Sequence, residues 1–228
     1  MNPAMTIRML SRSSIGKKVL MAITGLVLFG FMVAHLLGNL LVFAGPEALN
    51  AYALHLRDLG PVLWVARGVL LVSILLHIWV SVRLTRENRA ARRERYVVYH
   101  PSATTYAART MMLSGLLLLA YLIYHVLHFT FRVINPSAAH FTDSLGRHDV
   151  YRMVVLGFQQ WPVVLIYVVG VGMVCLHVSH GIGSTMQTLG INNERTIALF
   201  MQWGRLFALL IFLGYCSIPT AILLGAIH

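Results

Sequence analysis

The stretch VLMAITGLVLFGFMVAHLLGNLLVF, residues 19–43, decides the fold. It contains no charged side chain, and about 20 such residues in an α-helix cross a hydrocarbon core of roughly 30 Å. A secretory leader has a shorter apolar core that ends at a small-residue cleavage site, a pattern this stretch does not follow. We therefore predict a transmembrane helix that stays in the mature protein.

Four more apolar stretches of similar length follow, at residues 62–84, 110–131, 162–183 and 206–227. Hydrophobic residues make up 58% of the chain and charged residues 11%, whereas a soluble domain carries roughly 25% charged residues. The sequence therefore predicts an all-α membrane protein in which residues 1–228 form one domain of five transmembrane helices, a four-helix bundle plus a fifth helix. Cys175 and Cys216 fall within two of these spans, so we predict apolar packing for both thiols rather than a disulfide.

The formal net charge is +11, and the basic residues lie mostly on one side of the predicted membrane. With the N-terminus in the cytoplasm, thirteen Lys and Arg residues fall inside and five fall outside, which is the positive-inside pattern. The same excess suits anionic lipid headgroups and an acidic protein partner at the inner face. A nucleic-acid partner is excluded, since only short loops leave the membrane. We predict a multi-pass membrane protein with a cytoplasmic N-terminus and an outer C-terminus.

Two segments between the spans predict helices that lie on the outer membrane surface. In GPEALNAYALHLRDLGP, residues 45–61, Pro46 suits a first helical turn and apolar residues share one face. The segment 132–161 contains RHDVYRMVVLGFQQW and predicts a second such helix, which closes before Pro162. Each half of the chain thus has an outward helix, an interfacial helix and an inward helix. We interpret this as a pseudo-repeat of layout, with little residue identity.

Six of the eleven histidines lie inside the predicted spans. A single imidazole at that depth could simply bond to a backbone carbonyl. Polar side chains in a membrane are costly, however, and are functional by default, so six together point to a function. They are His35, His77, His125, His128, His177 and His180.

Four of these histidines form two pairs at matched depth, each roughly 9–12 Å below its membrane surface at 1.5 Å rise per residue. His35 and His125 lie in the outer halves of the first and third spans. His77 and His177 lie in the inner halves of the second and fourth. Two imidazoles that face each other across a helical bundle are what a six-coordinate haem needs, and its iron then carries electrons instead of binding O₂. Structural zinc, the competing metal, would take three or four ligands at one level, often thiolates, so the pairs favour haem.

His128 and His180 each follow a paired histidine by one helical turn and lie about 4.5 Å nearer the surface. At that level a haem propionate or a quinone headgroup would need a polar partner. We therefore predict that both bind the cofactor without being its axial ligands.

Two small residues lie on the faces of the inner pair. Gly170 shares a helix face with His177 and would let a flat macrocycle approach the backbone. Ser73, four residues before His77, could fix the tautomer of that imidazole. Ordinary bonding of the serine hydroxyl to its own helix is the alternative.

Five stretches, in order along nearly the whole chain, carry a family resemblance. The sequence resembles the cytochrome b membrane subunit of succinate dehydrogenase and fumarate reductase, in its single-chain form with five helices and two haems. The stretches are SRSSIGKKVLMAITGLVLFGFMVAHLLGNLLVFAGPEALNAYA (11–53), LLHIWVSVRLTRENRAAR (75–92), LIYHVLHFT (122–130), HDVYRMVVLGF (148–158) and HVSHGIGSTMQTLG (177–190).

The resemblance implies two b-type haems, with one axial ligand from each of the first four helices. Some members carry the fourth ligand directly before a glycine, so His180 is the alternative to His177. The resemblance also implies a bacterial cytoplasmic membrane, a flavoprotein subunit and an iron–sulfur subunit on the cytoplasmic face, and leaves a higher oligomer of the complex open. Residues 83–109 and the N-terminal segment would be the docking surface. The ligands in this sequence would be His35, His77, His125 and His177.

In such a complex the chain would carry electrons between the iron–sulfur subunit and a membrane quinone, menaquinone or another, without holding a succinate site. Quinone reduction and oxidation move protons, which requires protonatable groups at the membrane edge. At the outer edge we expect Tyr52, His55 and Arg67 to bind the quinone. Partners of the haem propionates are expected among Ser14, Lys17 and Arg109 inside and among Arg67 and Arg132 outside.

Two other functions stay open at this stage. One is the b-type cytochrome anchor of a hydrogenase or formate dehydrogenase, whose catalytic subunit lies outside; the basic inner face disfavours it. The other is a proton-coupled transporter built on intramembrane histidines. It would need a polar pathway across the membrane, and the spans offer almost no acidic residue to continue one.

Overall fold

The fold comes from a computed structural model that describes residues 13–91, 106–191, 193 and 196–228. The all-α prediction is confirmed: five helices are long and apolar enough to cross a membrane. They are α1 (Ser14–Asn39, continued by a 3₁₀ turn over Leu40–Ala44), α3 (Pro61–Ala90), α5 (Met111–His125, continued by a π-helical turn over Val126–Thr130), α7 (Trp161–Thr188) and α8 (Ile197–Leu223). Three short helices, α2 (Pro46–Asp58), α4 (Tyr106–Arg109) and α6 (Val150–Phe158), lie between them.

Four of the long helices extend further than their apolar stretches predict. α1 begins at Ser14 instead of 19, α3 ends at Ala90 instead of 84, α7 ends at Thr188 instead of 183, and α8 begins at Ile197 instead of 206. The apolar stretch stops where charge begins, but the backbone hydrogen bonds of a helix continue into the polar region because they do not depend on lipid. The basic residues Arg8, Arg12, Arg92, Arg93, Arg95 and Arg195, counted for the positive-inside pattern, lie outside the described residues.

The interfacial helices are confirmed, and their starts follow the local sequence. Pro46 and Pro61 occupy the first turns of α2 and α3, where a missing N–H costs nothing. The glycine before each of them has a positive φ, 93° at Gly45 and 51° at Gly60, a conformation that glycine adopts without a Cβ penalty. These two turns reverse the chain at the end of α1 and place α2 across that end.

The closely packed helix pairs are α1 with α3, α5 with α7, and α7 with α8, and α1 also contacts α7. The neighbouring helices thus follow the order α3, α1, α7, α5, and close backbone contacts among the described residues are sparse for the remaining pairs, α1 with α5, α3 with α7 and α3 with α5. In that order α1 and α5, and α3 and α7, are the diagonal pairs of the bundle. The fifth long helix, α8, packs against the outside of α7 and α1.

The best-packed part of the molecule is the end covered by α2, α6 and residues 131–149, which we name the capped end. A cluster of buried apolar side chains joins α6 to the adjoining ends of α1, α7 and α8 there. The opposite end carries Lys17, Lys18, Arg83, Arg86 and Arg89, and we name it the basic end. Along the middle of the helices many large apolar side chains are exposed, as expected for surfaces that face lipid.

Asn50 of α2 lies at the centre of the capped end and is 1% exposed. Its amide nitrogen donates to Asp149 Oδ1 at 3.0 Å and to Asp143 Oδ2 at 3.4 Å. Its amide oxygen accepts from the backbone N–H of Tyr151 at 2.9 Å. One side chain of the first half of the chain thus satisfies three polar groups of the second half.

Arg147 adds an ionic contact beside Asn50. Its guanidinium donates to Glu47 Oε2 at 2.6 Å and to Asp143 Oδ2 at 2.7 Å. These contacts join the start of α2 to the loop before α6. We name the set Glu47, Asn50, Asp143, Arg147 and Asp149 the clasp.

Gly170 has a different neighbour from the one the sequence suggested. A Cβ at this position would collide with the ring of Tyr121 on α5. The space expected to admit a macrocycle therefore holds an aromatic ring, and the glycine sets the close approach of α5 and α7.

Gly170→Ala should consequently destabilise the fold, since overpacking a tight contact costs about 1–3 kcal/mol. Gly30→Ala on α1 is the matched control, because a Cβ there meets nothing within 4 Å and alanine favours a helix. Thermal unfolding in detergent, followed by circular dichroism, compares the two. Equal melting temperatures for both variants would contradict the close contact.

Candidate functional site

Four of the six intramembrane histidines form two facing pairs, as predicted from depth. The rings of His35 on α1 and His125 on α5 have centroids 5.9 Å apart at an interplanar angle of 82°. The rings of His77 on α3 and His177 on α7 have centroids 6.2 Å apart at 61°. The first pair lies toward the capped end and the second toward the basic end.

The spacing of both pairs fits one metal ion between two imidazoles. A metal–nitrogen distance of roughly 2 Å on each side places the two ring centroids about 6 Å apart. Each pair also joins two helices that have few close backbone contacts with each other, α1 with α5 and α3 with α7. Among the described residues, three or more His, Cys, Asp or Glu side chains nowhere gather around one point. The arrangement thus suits an ion that brings its own equatorial ligands and disfavours structural zinc.

A hydroxyl group lies against the Nδ1 nitrogen of each histidine in the His77–His177 pair. Thr24 Oγ1 of α1 is 3.1 Å from His77 Nδ1, and Ser114 Oγ of α5 is 3.4 Å from His177 Nδ1. Ser73, the residue predicted to fix His77, is buried on α3, but the hydroxyl that reaches Nδ1 comes from Thr24 on the neighbouring helix.

The other pair is supported by Tyr167 of α7. Its hydroxyl oxygen lies 3.3 Å from His125 Nδ1 and 3.0 Å from His128 Nδ1. His128 is 4% exposed and stacks on Phe129, with ring centroids 4.1 Å apart. One buried phenol therefore joins the paired histidine to its one-turn neighbour. His128 thus contacts the His35–His125 pair through Tyr167, and its contact with a bound cofactor stays a prediction.

His180 differs from His177 in its surroundings. The ring that faces His77 belongs to His177, and it has Ser114 behind it. The Nδ1 atom of His180 is buried without a hydrogen-bond partner among the described residues. Of the two histidines left open by the sequence, the structure brings His177 to the pair.

The expected propionate partners are spread over both ends of the bundle. Lys17 is 5% exposed and forms an ion pair with Glu87 on α3, 2.5 Å from Nζ to Oε1. Ser14 is the first residue of α1 and is exposed, and the cap of that helix is Ser13, which accepts from Gly16 N. Arg109 is exposed at the end of α4. Lys17 is therefore already paired, which the sequence did not indicate.

At the capped end, the two arginines proposed for propionates have protein partners. Arg67 is exposed and lies over the ring of Trp64, 4.9 Å from its centroid. Arg132 donates to His148 Nε2 at 2.9 Å, while the other ring nitrogen of His148 lies 3.0 Å from Phe141 O. Burial lowers the pKa of His148, and the neighbouring Arg132 adds to the decrease.

The three quinone candidates differ in their surroundings. His55 and Arg67 are exposed, and the Tyr52 ring packs so closely on Gly38 that an added Cβ would lie 2.6 Å from its Cε1. A cavity of about 180 Å³ opens nearby, and among its lining residues are Arg57 and His148. Neither Arg57 nor His148 is among the three residues predicted to bind the quinone.

Thr24, Ser114, Tyr167 and Asn50 are the functional or structural polar residues that sequence reasoning missed. A signal for two of them is present in the sequence. Thr24-Gly25 stands eleven residues before His35, and Ser114-Gly115 stands eleven residues before His125. The two halves of the chain therefore share a hydroxyl-glycine dipeptide at matched positions, in addition to the same order of helices.

Comparison of the chain with protein-family models, with curated proteins and with solved structures finds no match. The class of protein is therefore defined from its fold and its histidine pairs alone. Over its described residues the chain is all-helical, with five membrane-length apolar helices, and it holds two facing pairs of histidines inside its bundle.

Proposed function

We propose that the chain is the dihaem cytochrome b membrane subunit of a succinate dehydrogenase or fumarate reductase complex. The observation that carries this proposal is the occurrence of two facing histidine pairs, 5.9 and 6.2 Å between ring centroids, on the two diagonals of one bundle. A haem held at each pair supplies an iron that takes up and releases single electrons. Two such centres at opposite ends of the bundle suit transfer of electrons across the membrane.

His35 and His125 would hold one haem and His77 and His177 the other, each through imidazole nitrogen. With two protein ligands the iron would have no open position for O₂, and electron transfer would be the chemistry it supplies. The exposed apolar surfaces of the helices keep the bundle in lipid, and lipid excludes water from the pairs. Thr24, Ser114 and Tyr167 hold the imidazoles from behind.

The basic end is the proposed docking surface for the flavoprotein and iron–sulfur subunits on the cytoplasmic side. It carries Lys18, Arg83, Arg86 and Arg89 near the ends of α1 and α3, and such a surface attracts acidic partners as well as lipid headgroups. The N-terminus is then cytoplasmic and the C-terminus outside. The His77–His177 pair would be the one nearer the partner subunits.

The quinone is proposed to react at the capped end, near the His35–His125 pair. Its chemistry needs polar groups that can exchange protons at the membrane edge. Tyr52, His55 and Arg67 remain the sequence-based candidates, and the cavity beside Arg57 and His148 offers a second set of polar groups there.

Purification in detergent, after expression in a host that makes haem b, tests the proposal. We expect a pyridine haemochrome spectrum of two b-type haems per chain, and co-purification of a flavoprotein and an iron–sulfur protein from the native membrane. A folded chain without a Soret band would refute the haem assignment. Two haems with a hydrogenase or formate dehydrogenase as the co-purified partner would keep the haems and refute the complex.

A further inference from the structure

The Thr24 hydroxyl has one proton and three polar neighbours. Its Oγ1 lies 2.8 Å from the carbonyl oxygen of Leu20 and 3.1 Å from that of Met21, both one turn earlier in α1, and 3.1 Å from His77 Nδ1. Carbonyl oxygens only accept, so the hydroxyl proton is donated within α1, at the shortest distance to Leu20 O. A lone pair of Oγ1 is then left to accept the hydrogen bond that His77 Nδ1–H donates, and the Met21 carbonyl is a second acceptor beside the same imidazole.

Ser114 repeats the arrangement at the other histidine of the pair. Its Oγ donates to Met111 O at 3.2 Å and lies 3.4 Å from His177 Nδ1. By the same reasoning, His177 carries its proton on Nδ1. In both imidazoles the lone pair is then left on Nε2, the nitrogen away from the hydroxyl.

The glycine after each hydroxyl residue lies beside the same histidine. A Cβ on Gly25 would lie 3.4 Å from His77 Cε1, and one on Gly115 would lie 3.5 Å from His177 Cε1. The Nδ1 and Cε1 atoms of each imidazole therefore lie against a hydroxyl residue and the glycine that follows it, both on the adjacent long helix. The dipeptides occur at matched positions of the two halves, eleven residues before His35 and before His125.

We propose that Thr24 and Ser114 are positioning residues that fix the Nδ1–H tautomer of His77 and His177 and so present Nε2 of both imidazoles to one iron. The inference rests on the proposed haem function and goes beyond it, because it names residues that set ligand orientation and strength from outside the ligand set. Partners behind a metal-bound histidine raise its basicity, and their loss typically costs 10–100-fold in metal affinity or activity.

The two hydroxyls should also affect the redox equilibrium of that iron. A hydrogen bond accepted from Nδ1–H makes the imidazole a stronger donor, which favours ferric over ferrous iron. Loss of the hydroxyl should therefore raise the midpoint potential. Thr24 lies nearer to its histidine than Ser114 does, 3.1 against 3.4 Å, so its removal should have the larger effect.

The test compares Thr24→Val, Ser114→Ala and Thr24→Ser in the full chain loaded with haem. Thr24→Val keeps the side-chain shape and removes the hydroxyl, while Thr24→Ser keeps the hydroxyl. We expect Thr24→Val to weaken the ferric preference of one haem about tenfold, which for one electron corresponds to about 59 mV. Ser114→Ala should shift the same haem less, and Thr24→Ser should restore the wild-type value. Potentiometric titration followed in the α-band, with low-temperature EPR of each ferric haem, gives the readout.

Ser81→Ala is the matched control, because Ser81 lies one turn from His77 on α3 but donates to Ile78 O at 2.8 Å. It should leave both potentials and both EPR signals unchanged. Two haems with unchanged potentials and EPR signals in Thr24→Val would overturn the inference while leaving the proposed function intact. A wild-type chain without haem would instead overturn the proposed function.

Discussion

His177→Ala should leave the chain with one of the two haems proposed for the wild type, whereas His180→Ala should keep both. The reason is geometric: the ring of His177 faces His77 at 6.2 Å, so its removal would take away one of the two proposed ligands of that haem. The pyridine haemochrome assay on purified chains gives the haem count, and the EPR spectrum shows which low-spin signal is lost.

The other ligands divide in the same way. His77→Ala should abolish the same low-spin signal as His177→Ala, and His35→Ala and His125→Ala should both abolish the other. His140→Ala serves as control, since that residue lies in the loop of the capped end, outside the long helices. If His180→Ala removed a haem and His177→Ala did not, the pairing in the structure would be wrong.

Asn50→Leu is the change outside the histidine pairs from which we expect the largest loss of stability. Leucine fills the same space but leaves the Tyr151 N–H and the facing carboxylates without their amide partner. Each buried polar group that loses its partner costs about 1–3 kcal/mol, so the total should be about 3 kcal/mol. For a chain of this length that lowers the melting temperature by roughly 6–12 °C.

Thermal unfolding in detergent at pH 7 measures this effect. Ser137→Ala is the control, because its hydroxyl bonds to Asn135 Oδ1 in an exposed part of the same end. Melting of Asn50→Leu at the wild-type temperature would show that the amide contributes nothing to the junction of the two halves.

The choice of pH keeps the ionic part of the clasp constant. The hydrogen bond from Arg147 lowers the pKa of Glu47 below its ordinary value of 4.5. A carboxylate with a lowered pKa stabilises the folded state fully above its ordinary value and loses that contribution as pH falls through the lowered one. At pH 7 the contact is therefore complete, and the amide is the only group that differs.

Sequence reasoning reached the spans, the interfacial helices and the histidine pairs because each depends on a local or periodic signal. Hydropathy indicates spans, and position along a span gives the depth of a histidine. It missed Thr24 as the partner of His77, since a hydroxyl on a neighbouring helix is visible only once the register between helices is known. It chose Ser73 because that residue is one turn away on the same helix.

The clasp was missed for a related reason. Asn50 lies in a stretch that otherwise indicates an amphipathic helix, where a single amide is unremarkable by pattern alone. Its partners lie about a hundred residues later in the chain, and such contacts follow from the topology of the whole bundle. The lengths of the helices beyond the lipid were also underestimated. Hydropathy indicates which part of a helix lies in lipid, but it does not indicate how far the backbone hydrogen bonds continue.

Thr24 and His35 lie on the same helix, so α1 sets the distance along the bundle between the His77–His177 pair and the His35–His125 pair. Eleven residues at 1.5 Å set an axial offset of about 16 Å, and α5 repeats the same interval between Ser114 and His125. No loop enters this distance, so lipid composition or partner docking cannot stretch it without melting a helix. One residue inserted between Thr24 and His35 would turn one of them by about 100° away from its site. If the two histidine pairs hold the proposed haems, the axial offset between them, on which the rate of electron transfer depends, is therefore set by the pitch of one helix.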